Sequence, residues 1–255
     1  KPILIKKEFK MVERNTYYSS ASSKSAAEID EGLRAYMLTV YNYMASALAL
    51  TGLAAYVTAN TPVLLSMLYT QQGNILAPTI LGYIVMFSPL AFVLALNFGI
   101  NRMKSSTLQM VFWAFAVCMG LSLSNILLMY TGTSIAKTFF VTAAAFSSLS
   151  LYGYTTKKNL SGMGSFLMMG LFGIIIASIV NMFLQSSGME FIISVLGVLI
   201  FAGLTAYDTQ RIKLMYLESD GNEMASKKAI MGALSLYLDF INMFLFLLRF
   251  MGNRE

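Results

Sequence analysis

Seven stretches of about 20 predominantly apolar residues, at 36–58, 79–99, 108–130, 134–154, 164–184, 191–211 and 229–249, leave this chain few ways to fold. Each can cross a hydrocarbon core of about 30 Å as a helix, the segment shape that satisfies its own backbone polar groups in lipid. The predicted fold class is therefore all-α: a polytopic membrane protein built as a seven-transmembrane-helix bundle. With 57% of the 255 residues hydrophobic and 12% charged, no separate soluble domain fits. The expected organisation is a cytoplasmic amino-terminal tail over residues 1–34 and one transmembrane domain over 35–255. Met11 would serve as a translation start, so residues 1–10 are set aside as an extension. No cleavable signal peptide is evident, because the first apolar run follows a charged, Ser-rich stretch and is too continuous for an h-region.

The breaks between spans carry loop chemistry: Asn60, Pro62, Gln71, Gln72, Gly73, Asn74 and Pro78 after the first, then Gly132, Gly162 with Gly164, and Gly188. Seven Lys and Arg precede the first span, and none lies in the 59–78 loop. Arg102 and Lys104 follow the second span, Lys137 the third, Lys157 and Lys158 the fourth, none the fifth, and Arg211, Lys213, Lys227 and Lys228 the sixth. This alternation places the amino terminus in the cytoplasm. Arg249 and Arg254 break it if the last helix crosses fully, and a re-entrant last helix would repair the count. The net charge of +6 thus reads as membrane topology and excludes a nucleic-acid partner. Cys118, alone and inside a span, has no internal disulfide partner and reads as a packing group.

Lipid gives helices no hydrophobic reason to associate, so small and polar side chains must hold the bundle together. Gly120 with Ser124, Ala143 with Ser147, and Gly173 with Ala177 have the required four-residue spacing. Asn42, Asn97, Asn125, Asn181 and Asn242 put one amide in each of five spans, as interhelical glue or as the lining of a polar path.

Asp208 and Asp239 are the only acids inside the apolar runs, and an ionisable group at membrane depth marks a functional site by default. A carboxylate there costs about 2.5–3.5 kcal/mol on insertion scales, so two of them call for a partner, a proton or a cation. With the sixth helix running inward and the seventh outward, Asp208 lies near the cytoplasmic end and Asp239 about 15 Å above Lys228. They meet only if the connecting loop dips or the helices stagger. Arg102 ends the second span on the same side and is a depth-matched cation for Asp208. The plainer alternative pairs Asp208 with Arg211 one turn on as an interfacial cap, with Asp239 hydrogen-bonded to a neighbouring helix. The chain has no histidine, so a response to pH near neutrality falls to carboxylates titrating as a coupled pair. Two carboxylates supply at most four of the roughly six to eight oxygens calcium prefers, leaving water, carbonyls or an amide such as Asn242 to complete a weak, open site.

Phe201–Lys213 reads FAGLTAYDTQRIK and Leu234–Gly252 reads LSLYLDFINMFLFLLRFMG. These resemble the signature segments of the transmembrane Bax-inhibitor-motif family, in its bacterial form. The likeness continues through PLAFVLALNF (89–98), the run 119–146 and LYGYTTKKNLSGMGSFLMMGL (151–171), and so covers nearly everything from Glu31 onward. It implies a bacterial inner-membrane protein with seven helices, the last surrounded by the other six, acting as a pH-sensitive calcium leak. Calcium would be the transported or weakly bound ion, with no tightly bound cofactor. The resemblance assigns the proton and calcium sensor to Asp208 and Asp239 and a latch on Asp208 to Arg102; the spans' own amides add Asn242, Asn181 and Asn125 as candidates for a polar path or auxiliary ligands. It also brings a different role, as substrate or modulator of a membrane-bound ATP-dependent protease. Asn159 stands where an aspartate is expected, and the loop between the two aspartates is longer than in compact bacterial members.

An intramembrane aspartyl protease would need a GxGD element, and Leu236, Tyr237 and Leu238 precede Asp239 instead. A retinal protein would need a lysine in the last span, which has none between Ala229 and Gly252. The chain is therefore expected not to be an enzyme.

Overall fold

The computed structural model describes residues 26–72 and 75–253. The elements run α1 (Ala26–Asn60), α2 (Pro62–Leu68), β1 (Tyr69–Gln72), β2 (Ile75–Pro78), α3 (Ile80–Gly99), α4 (Ser105–Leu123), α5 (Ile126–Met129), α6 (Gly132–Thr155), α7 (Ser161–Leu184), α8 (Ser187–Met215) and α9 (Asn222–Met251). Seven helices are long and apolar enough to cross a membrane, with α4 and α5 together forming the third, Ser105–Met129. All seven apolar windows are thus helices. α1 begins ahead of the expected tail boundary at residue 34, and residues 1–25 of that tail, like Arg254, lie outside the described residues.

The stretch 59–78 holds more structure than its loop chemistry suggests. Pro62 opens α2 at a position where the missing N–H costs nothing. β1 and β2 then pair antiparallel, Tyr69 opposite Pro78 and Thr70 opposite Ala77. Thr79 closes the unit: its hydroxyl donates to Met67 O and accepts from Gly82 N, capping α3.

Pro89 sits inside α3, so Val85 O lacks the amide that would normally bond it. Two hydroxyls supply the missing donor: Ser88 Oγ at 2.8 Å from the same helix and Ser122 Oγ at 2.7 Å from α4. In lipid, where water cannot answer a free carbonyl, this cross-helix bond ties α3 to α4.

α9 is the centre of the bundle. Of its spanning window 56% is buried, against 17% for α3 and 11% for α7. It packs on α1, α4, α6 and α8, while α3 lies outside on α4 and α7 outside on α8. The enclosure expected from all six helices therefore comes mainly from four. Buried Tyr237 meets Phe115 edge-on at 5.1 Å, and Phe240 meets Phe139 and Phe146 at 5.6 Å each.

Close helix crossings rest on glycine only in part where spacing suggested. A Cβ on Gly120 would run into Thr51 O and Ala54 of α1, as the small-residue rule requires. Gly173 has nothing within 4 Å, and with Ala177 it borders an outer hollow between α7 and α8. Ala143 and Ser147 line a gap between α1 and α6. A close crossing not expected is at Gly153 of α6, where a Cβ would strike the Ala206 backbone of α8.

The re-entrant last helix is overturned. α9 is continuous to Met251, and beyond it Asn253 accepts from Thr131 N and donates to Ser134 Oγ at the start of α6. At the other end of α6, Lys213 of α8 donates to Tyr154 O. α9 thus runs the full height of the bundle, and Arg249 sits over the Phe246 ring, 5.7 Å from its centre.

Candidate functional site

α8 and α9 lie antiparallel and staggered. Ile212 packs on Gly232, and Lys228 reaches back to Met215 O and the Asp220 carboxylate. The first turns of α9 therefore project beyond the end of α8, with the loop folded back along them. That stagger narrows the height difference and sets the Asp208 and Asp239 side chains next to each other at the edge of one cavity. Neighbouring carboxyls can hydrogen-bond each other only when one of them carries a proton. The pair lies about 10 Å from Met215 and about 30 Å from Ser187 along α8, inside the bundle but off its middle. Asp239 is 4% exposed, and its Oδ2 is buried without a hydrogen-bond partner. Such an orphaned acceptor in a low-dielectric interior attracts a proton or cation.

The cation beside Asp208 is Arg211, at 4.0 Å, with the arginine side chain 59% exposed and the aspartate 15%. Arg102 lies in the exposed turn between α3 and α4 and forms no ion pair with Asp208 among the described residues. The depth argument placed Arg102 at the correct end of its helix but carried no lateral information: α3 packs on α4, whereas Asp208 belongs to α8. The latch assigned to Arg102 is not engaged in this structure. Arg211 instead makes the interfacial pairing of the plainer alternative, and makes it loosely, as expected for an exposed pair three residues apart on one helix.

A cavity of about 550 Å³ opens beside the pair between α7, α8 and α9. Asp208, Asp239, Ser235, Asn242 and Ser178 supply its polar atoms, and apolar side chains from all three helices form the rest. Asn242 donates to Leu238 O, which leaves its own carbonyl oxygen available to a ligand. Of the three candidate asparagines it alone joins the aspartates. Asn181 accepts from Ser186 N and so ties the end of α7 to the next turn. Asn125 stands in the break between α4 and α5 and does not border this cavity.

Hydroxyl groups carry a second set of buried contacts that sequence reasoning missed. Tyr41 of α1 bonds Ser150 of α6 at 2.6 Å, Ser150 bonds Thr209 of α8 at 2.9 Å, and Thr209 donates to Thr205 O. Thr51 bonds Tyr237 at 2.7 Å and Ala116 O at 2.8 Å. Gln210 accepts from Leu160 N and donates to Lys158 O, clamping the α6–α7 connection onto α8. The available signal was the unbroken polar run Tyr207, Asp208, Thr209, Gln210 in an apolar helix. Gln210→Leu strands the buried Leu160 N–H and should cost about 2 kcal/mol, read as a lower midpoint in detergent unfolding. An unchanged midpoint would show that the clamp is idle.

The arrangement suits transient cation binding. Among the described residues there is no group of three His, Cys, Asp or Glu side chains able to hold a metal ion. The two carboxyls and the Asn242 carbonyl oxygen leave a calcium ion short of its usual coordination and reliant on water.

Residues 33–255 match the family model described as "Inhibitor of apoptosis-promoting Bax1". An uncharacterised protein of Rickettsia prowazekii is 50% identical over 226 residues, covering 89% of this chain and 92% of its own. One from Caulobacter vibrioides is 49% identical over 240 residues, covering 93% and 96%. Inner membrane protein YbhL of Escherichia coli is 42% identical over 235 residues, covering 91% and 97%.

Proposed function

Because this chain belongs to the Bax inhibitor family of membrane proteins, we propose that it is a proton-gated calcium leak of the bacterial inner membrane, with its amino terminus in the cytoplasm. The observation that supports this most is the contact between two acids inside the bundle, one of which keeps a buried oxygen without a partner. A shared proton holds the pair together. Loss of that proton leaves two adjacent negative charges in a poorly screened interior, and either calcium binds between them or the helices that carry them part. Proton and calcium compete for the same oxygens, which makes the pair a sensor as well as a ligand. The asparagine carbonyl and the two serines beside it extend the polar lining along α9 and α7. The proposed orientation is supported by the basic loop between α8 and α9 and the lysines at the α6–α7 connection, which lie at one end of the bundle.

The test is calcium flux into dye-loaded proteoliposomes between about pH 6 and about pH 8, a window in which a chain without histidine has few other titrating groups. Flux above empty liposomes that changes with pH is expected. Arg211→Ala, which removes the cation at Asp208, should shift the pH profile, and Arg102→Ala should leave it in place. Folded protein without flux would overturn the leak and favour a protein-interaction role with a membrane protease.

A further inference from the structure

The cavity at the aspartate pair is not sealed from the bilayer. Its α7 wall includes Met168, Ile175 and Ile179, which are 43%, 47% and 52% exposed on the outer surface of the bundle. α7 packs on α8, so its far side and α9 bound a slot open to the side. Glycines set the registration of α7 on α8: Leu167 packs on Gly203 and Ile200 on Gly170, and Tyr207 fills the space over Gly164. These contacts put Met168 near the level of Asp239, with Asp208 above it toward the start of α7 and Ile179 deeper in the membrane. The carboxyls thus sit toward one end of the cavity, and its remaining length is mainly apolar, with Ser178 a single hydroxyl near the deep end.

We propose that this slot is a lateral binding site for a lipophilic amine, which enters from the bilayer between α7 and α9 and seats its ammonium on the Asp208–Asp239 pair. The claim rests on the reading of that pair as a cation site and adds a second class of ligand with its own route. An ammonium group brings three N–H donors, and three residues that border the cavity carry acceptors for them: Asp239, whose Oδ2 has no partner, Asp208, and Asn242 through its carbonyl oxygen. A single positive charge is answered by a carboxyl pair holding one proton. A divalent ion in the same place would still need water to complete its oxygen ligands, whereas an alkyl chain covers the apolar walls that a hydrated ion leaves bare. From Met168 to Ile179 the wall runs about 16 Å along α7, enough for a tail of roughly ten carbons. The volume of 550 Å³ falls within the range of about 300–1,000 Å³ usual for small-molecule sites.

The experiment titrates protein in lipid nanodiscs with dodecylamine, and with dodecanol as the neutral counterpart, by calorimetry against empty nanodiscs. Saturable amine binding is expected, with the alcohol at least about tenfold weaker. Asp239→Asn should weaken the amine by about tenfold. Ile175→Trp crowds the mouth from a lipid-facing position, leaves both carboxyls untouched, and should have a similar effect. Equal partitioning of amine and alcohol, or amine binding indifferent to Ile175→Trp, overturns the proposal. Calcium flux measured on the same preparations separates the two readings. Flux without saturable amine binding removes the lateral site and leaves the leak, and amine binding without flux removes the leak and leaves the site.

Discussion

Asp239→Asn is expected to abolish the pH dependence of calcium binding and to raise the half-saturating calcium concentration by about tenfold or more. The replacement keeps shape and volume, so the packing of α9 against α8 survives. It removes the negative charge and the exchangeable proton from the more buried partner, and the new amide donates to Asp208 much as a permanently protonated acid would. In the parent the half-saturating concentration should rise as pH falls, because protons occupy the oxygens calcium needs. In the variant it should stay flat. Stability separates function from architecture. If Asp239 were there to hold the fold, Asp239→Leu would be costly. A buried acid with an unanswered oxygen predicts the opposite, a variant at least as stable as the parent but unable to bind calcium. Parent-like calcium binding in Asp239→Asn would remove the sensor role.

Gly153→Ala should destabilise the protein by about 2 kcal/mol, whereas the same change at Gly173 should stabilise it by up to about 1 kcal/mol. Both glycines lie within helices, where alanine is intrinsically preferred. At Gly173 the added methyl meets nothing within 4 Å, and propensity alone acts. At Gly153 it would come within 2.9 Å of the Ala206 carbonyl carbon and closer still to its oxygen. Backbone cannot rotate away as a side chain can, so α6 and α8 must separate, straining the Ser150–Thr209 bond one turn away. Unfolding midpoints of the two variants in detergent should move in opposite directions. Movement in the same direction would mean that α6 and α8 have room to slide.

How far each feature was legible depended on the range of the interaction behind it. The seven helices were visible because a span in lipid must satisfy its own backbone, and 20 residues of apolar sequence suffice to say so. The hairpin at 69–78 was not, since the same glycine, asparagine and proline signals serve a loop or a turn between two strands. Asp208 and Asp239 stood out because a charge in an apolar helix is costly wherever it points. Gln210, Thr209 and Ser150 did not, because an uncharged polar residue in a span is ordinary until its partner is known. Arg102 shows where depth reasoning stops: position along a helix is a property of sequence, and position around the bundle is not.

That this is an all-helical membrane protein with seven spans, and which two acids lie inside it, is already written in the chain, because both follow from the transfer of single segments from water to lipid. Three further features come from the packing of the helices: the two acids share one cavity, Arg211 rather than Arg102 faces Asp208, and Asn242 joins them while Asn181 and Asn125 do not. Those outcomes depend on the stagger of α8 against α9 and on which helices are neighbours. In a bilayer that choice is made by a few close crossings, such as Gly120 on Thr51 and Gly153 on Ala206, and by hydroxyl bonds between helices. Each is a relation between distant positions, with no signature in either segment alone.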